Sequence, residues 1–97
     1  MPTYITLIHY TDQGVQTFKD LSQRLEETRT AGAAVGAQLL AYYLTMGQYD
    51  AVVVTEAPND ETIARLALAA GGRGNVRTET LRAFTEDEAK RIAASLA

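Results

Sequence analysis

The 97-residue chain contains no cysteine, which removes disulfides, thiolate nucleophiles, zinc fingers and iron–sulfur clusters from consideration. It has a single histidine, His9, too few for the usual zinc or non-haem iron ligand sets, so neither a metal nor another cofactor is expected. Basic residues are outnumbered, 9 Lys and Arg against 12 Asp and Glu, and a net charge of −3 argues against a nucleic-acid partner. The longest apolar runs, residues 39–44 and 51–54, fall far short of the ~20 residues needed to cross a membrane. The first ten residues show neither a basic region nor a small-residue cleavage site, so no secretion signal is expected and a cytoplasmic setting is the default. Gly71-Gly72-Arg73-Gly74 precedes a strand pattern and lacks a following lysine, so it fits neither a phosphate loop nor a dinucleotide fingerprint. Gly-x-Ser-x-Gly is missing, and both serines, Ser22 and Ser95, fall in helical segments. Familiar hydrolases, kinases and dehydrogenases are thereby disfavoured.

What is present is a soluble globular composition, 46% apolar and 22% charged, at a length that allows one domain over residues 1–97. The apolar period changes several times along it. Residues 3–10 alternate and are rich in β-branched and aromatic side chains, as a strand should be. Asp12 offers an N-cap, and Val15, Phe18, Leu21, Leu25 and Thr28 recur at helical spacing, predicting one helix up to the glycines at 32 and 36. Residues 38–46 and 49–55 read as two strands joined by a turn containing Gly47, a hairpin. Pro58-Asn59-Asp60 opens a second helix with Ile63, Leu66, Ala67 and Ala70 on one side. Residues 75–84 alternate again. Thr85 and Glu88 form a capping box before a last helix, with Ala89, Ile92, Ala93 and Leu96 expected to face inward.

The order β-α-β-β-α-β plus a terminal helix is the ferredoxin-like, α+β arrangement. Right-handed crossovers place the first and third strands at the centre of a four-stranded antiparallel sheet, with both long helices on one face. The other face is expected to carry Tyr4, Thr6, Ile8 and Tyr10, with Tyr43 or Tyr42. An apolar face of that kind needs cover, which predicts a homodimer or higher homo-oligomer.

The same topology gathers unusual residues on one edge of the sheet: His9, Tyr10, Thr11 and Asp12, then Thr45 to Asp50, then Asn75 and Arg77. Polar groups converging around an apolar cavity suit a small ligand. Tyr10, Tyr43 and Tyr49 supply stacking surface; Arg77 and the helix N-terminus near Asp12 favour negative charge. His9 and Asp50 are the candidate catalytic bases, although His9 also fits a plain surface histidine and Asp50 a turn carboxylate. Neighbouring residues of a strand point to opposite faces, so not all of these groups can line one cavity.

Gly47-Gln48-Tyr49-Asp50 resembles the motif of the GYD-domain family. Thr11-Asp12-Gln13-Gly14, Tyr43-Leu44-Thr45-Met46, Glu56-Ala57-Pro58 and the stretch from Gly74 to Phe84 resemble the family pattern as well, covering nearly the whole chain. One departure is Ser22, where the family often has proline. The resemblance implies a ferredoxin-like unit of the dimeric α+β-barrel type and leaves activity open. The wider superfamily is similar to cofactor-free monooxygenases, muconolactone-type isomerases and effector-binding domains of leucine-responsive regulators, which is fold-level analogy only. The leading expectation is an oligomeric domain binding a small aromatic or carboxylate-bearing molecule between sheet and helices. The alternatives are a cofactor-independent isomerase or monooxygenase, and an interaction protein without a ligand.

Overall fold

The computed structural model describes residues 1–96. Strands β1 (Thr3–Tyr10), β2 (Gln38–Leu44), β3 (Ala51–Glu56) and β4 (Val76–Ala83) form one antiparallel sheet in the order β2-β3-β1-β4. The helices are α1 (Asp12–Gln16), α2 (Leu21–Ala34), α3 (Asp60–Gly72) and α4 (Glu86–Ala94). This is the ferredoxin-like α+β fold expected from the sequence, with β1 and β3 central and α4 appended. No helix among the described residues is long and apolar enough to cross a membrane.

The single long helix expected after β1 is instead broken in two. α1 ends at Gln16, a 3₁₀ turn spans Phe18–Asp20, and α2 starts at Leu21. Thr17 sits between them; its hydroxyl donates to the Gln13 carbonyl at 2.8 Å and accepts from Arg24. A threonine bonded back to a helical carbonyl in this way competes with the regular ladder and bends the chain. The cap of α1 is Thr11, whose Oγ1 accepts from the Gly14 N–H, rather than Asp12. α2 closes in a Schellman motif: Ala37 N–H donates to Gly32 O, Gly36 N–H donates to Ala33 O, and Gly36 has φ +78°.

The alternation of β1 is as expected, but its faces are exchanged. Tyr4, Thr6, Ile8 and Tyr10 look toward the helices, and Tyr4 is 2% exposed in a small core with Ala37, Ala57 and Ile63, flanked by Leu66. Both residue sets of β1 are comparably apolar, so alternation defines two faces without saying which one the helices cover. The buried set contains the tyrosine whose phenol escapes to the rim, where it donates to Asp60 Oδ1 at 2.5 Å. The opposite face therefore carries Ile5, Leu7 and His9, with Val54, Val52 and Tyr43 from the neighbouring strands and Leu81, Glu79 and Arg77 from β4, as the register dictates.

The terminal helix has the predicted capping box, Thr85 with Glu88. Its apolar side does not pack inward: Ile92 and Leu96 are exposed, and α4 stands away from the sheet in a molecule measuring 52 × 32 × 19 Å. Among the described residues, neither α4 nor any other helix covers the second sheet face.

Candidate functional site

The edge at the C-terminal end of β1 is assembled by short-range hydrogen bonds. Thr45 N–H donates to the Asp50 carbonyl at 2.8 Å and Thr45 Oγ1 donates to the Tyr49 carbonyl at 2.6 Å, closing the β2–β3 turn. Asp50 N–H donates to the Ile8 carbonyl, and the Asp50 carboxylate accepts the Tyr10 backbone N–H, both at 2.8 Å. Thr11 N–H donates to the Asn75 carbonyl, drawing the start of β4 to the same edge. Asp50 thus caps the end of β1, with one oxygen committed to the main chain.

Strand alternation then divides the candidate residues between two sides. On the uncovered face, the His9 ring lies against Tyr49 with centroids 4.8 Å apart and planes tilted by 40°. Tyr49 OH donates to Glu79 Oε2 at 2.8 Å, a bond that, with some burial, raises the phenol above its ordinary pKa. Arg77 is the cross-strand partner of His9, and Tyr43 lies further along the same face through its pairing with Val52. His9 is exposed, and Asp12 is exposed on the first turn of α1. His9, Tyr43, Tyr49 and Arg77 hence form a polar and aromatic border to the apolar strip of Ile5, Leu7, Val52, Val54 and Leu81. Proton abstraction by His9 would need a base shielded from water, and this border is open to it.

Tyr10 alone of the expected ligand residues lies on the helix side, in a cavity of about 230 Å³ between α2, α3 and the sheet. Its phenol shares a 2.8 Å hydrogen bond with that of Tyr42, and its ring meets Phe18 edge to face at 5.3 Å. Burial, reinforced by the Tyr42 bond, holds the Tyr10 phenol far above its ordinary pKa, while the Arg24 guanidinium pulls in the opposite direction. Leu21, Leu25, Leu66 and Ala67 line the apolar walls, and Arg24 brings a half-buried cation to them. Sequence reasoning missed Arg24, Phe18 and the Tyr10–Tyr42 pair. Arg24 had left a signal: it stands three residues after Leu21 and four before Thr28, inside the stripe that faces the sheet. Among the described residues, no group of three or more His, Asp or Glu is placed to hold a metal ion.

Known proteins bear on this geometry. A curated relative, the glutamine synthetase and cystathionine beta-lyase binding protein of Thermus thermophilus, is 38% identical over 85 residues, spanning 87% of this chain and 90% of its own. A crystal structure of a protein from Thermus thermophilus superposes with a TM-score of 0.55 at 25% identity, covering 88% of this chain and 95% of that one. The crystal structure of FFRP-DM1 superposes with a TM-score of 0.59 at 16% identity, covering 87% of this chain and all of the other, and supports the fold alone. The GYD domain profile matches residues 4–93. The chain belongs to the GYD domain family.

Proposed function

We propose that this protein is a protein-binding module that works as a homo-oligomer. The observation carrying the reading is the uncovered sheet face, where Ile5, Leu7, Val52, Val54 and Leu81 form a contiguous apolar strip with a border of His9, Tyr43, Tyr49, Glu79 and Arg77. Apolar centre and polar rim are the anatomy of a protein interface. A two-fold partner presenting the same strip would be self-complementary, which makes a second copy the natural occupant. The relative's name supports enzymes as further partners of the assembled module, glutamine synthetase first among them. Sedimentation velocity tests this with the chain alone and mixed with purified glutamine synthetase. The reading expects a species heavier than one chain, and co-sedimentation with the enzyme. A monomer that leaves the enzyme's sedimentation unchanged refutes it.

A second reading is favoured by the cavity on the opposite face. A small aromatic or carboxylate-bearing molecule held between sheet and helices fits its apolar walls and few polar groups. Tyr10 belongs to that site. Tyr43, Tyr49 and Arg77 border the interface instead, and Asp50 supports both by fixing the turn between them.

A further inference from the structure

The cavity under α2 and α3 has walls dominated by apolar side chains, with two polar groups, Arg24 and the Tyr10–Tyr42 pair, whose donors are not all met among the described residues. Arg24 carries five N–H donors in a fixed fork, yet its one acceptor among the described residues is the Thr17 hydroxyl. No carboxylate among the described residues comes within 4.0 Å of its guanidinium. Charged groups elsewhere at the cavity are Glu27 and Arg73, both exposed, and Asp50, outside the lining, acts on Tyr10 from the end of β1, which leaves Arg24 as the half-buried cation of the cavity. The Tyr10–Tyr42 pair adds a second unmet donor. Two phenols share one hydrogen bond, which uses one hydrogen and leaves the other without an acceptor among the described residues. A cation and a spare O–H at the same apolar cavity match an oxyanion with two acceptor atoms. At about 230 Å³ the space lies below the roughly 300–1,000 Å³ of drug-sized pockets, so the molecule must be small.

We propose that this cavity binds a small monocarboxylate with an apolar body, its carboxylate held by Arg24 and by the free phenol hydrogen of the Tyr10–Tyr42 pair, its body against Leu25, Leu66 and Ala67. The proposal rests on the second reading above, that the cleft takes a small molecule; it narrows that molecule to a monocarboxylate and adds its anchor. Arg24 is the residue that turns an apolar hole into an acid-selective one: burying a carboxylate without a charged partner is prohibitive, and burying it beside an unpaired guanidinium relieves both charges. Flat aromatic and short acyl bodies share this chemistry.

The test is a titration followed by backbone amide NMR, with 2-naphthoate and octanoate as acids and 2-naphthol and octanol as their neutral counterparts. The expected result is that at least one acid binds more tightly than its neutral counterpart and shifts the amides of Tyr10, Arg24 and Tyr42. Arg24→Gln should weaken that acid by about tenfold or more, the loss of one charge-assisted contact, and leave the neutral probe unchanged. Arg24→Lys should retain most of the binding, which separates charge from a folding defect. Ala67→Trp, which fills the cavity, should abolish binding of every probe. If acids bind no better than neutral counterparts, or Arg24→Gln does not weaken them, the acid-selective site is wrong while the cleft remains a small-molecule site. If Ala67→Trp leaves binding intact, or no probe binds at millimolar concentration, the cleft itself is not a ligand site and both ideas fall.

Discussion

Gly14→Ala adds a single methyl group, and the structure makes it costly. A Cβ built on Gly14 would lie 2.1 Å from the Asn75 carbonyl oxygen and 3.2 Å from Tyr10 Cδ1, whereas ordinary contact begins at 3.4 Å. The obstacle is main chain, which no rotamer change can clear, so α1 must withdraw from the start of β4. That movement strains the bonds that dock α1 there: Thr11 N–H to Asn75 O at 3.1 Å and Thr11 Oγ1 to Gly74 O at 2.6 Å. Overpacking costs about 1–3 kcal/mol and one weakened hydrogen bond about 1 kcal/mol, so a loss of roughly 2–4 kcal/mol is expected. For a domain of this size, whose whole stability is about 5–15 kcal/mol, a urea slope of about 1–3 kcal/mol per M puts the fall in midpoint at roughly 0.7–4 M, with the slope unchanged. Gly71→Ala is the matched control. It makes the same chemical change inside α3 with nothing within 4 Å of the new methyl, and should stabilise by about 0.5–1 kcal/mol through helix propensity. Urea denaturation followed by circular dichroism measures both. A Gly14→Ala variant as stable as the parent would refute the close approach of α1 to β4.

Tyr4→Ala should cost about 3–5 kcal/mol by emptying the centre of the core. Tyr4→Phe keeps the ring and should cost only about 1 kcal/mol, because exposed Asp60 can turn to water; thermal melts compare the two. Stability should decline above about pH 10, since burial and hydrogen bonding raise the Tyr4, Tyr10 and Tyr49 phenols in the folded state. The unfolded chain then releases these protons first, so stability is intact below that pH and lost as it rises; Tyr10→Phe should reduce the slope in urea titrations across pH 8 to 11. Thr85→Ala removes the N-cap of α4 and should cost that helix about 1 kcal/mol. Because α4 stands apart from the sheet, its amides should exchange faster while the global melting temperature stays nearly constant.

The fold was legible because the chain punctuates itself locally. Thr85 caps its helix as its spacing to Glu88 predicts, Pro58-Asn59-Asp60 opens the helix after β3, Gly47 marks the hairpin, and changes of apolar period mark the passages between strand and helix. What stayed hidden was non-local. The period of two in β1 separates Tyr4, Thr6, Ile8 and Tyr10 from Ile5, Leu7 and His9, and only tertiary packing decides which set meets the helices. The gathering of His9, Tyr49 and Asp50 at one edge followed from topology. Their division between faces depended on register, and the Asp50 carboxylate found its partner, the Tyr10 N–H, 40 residues away. Thr17 broke the first helix through a bond to Gln13 that helical spacing does not announce. Arg24 drew no reading from the sequence, because only the neighbouring elements make it a half-buried cation at a cavity. Ile92 and Leu96 show a clear amphipathic pattern, yet both stay exposed, Ile92 sharing only a shallow cleft with Phe84.

If the uncovered sheet face is an interface, a charge placed on it should dissociate the particle, and light scattering of the chain with and without that charge reads the mass. Leu7 sits mid-strand on the open side between Val52 and Glu79, so Leu7→Asp places a carboxylate in the strip without touching the helix-side core. The parent should scatter as at least twice the 10.5 kDa chain at micromolar concentration, and folded Leu7→Asp as a single chain. A parent that remains one chain under those conditions, or a Leu7→Asp variant that associates as the parent does, would contradict it.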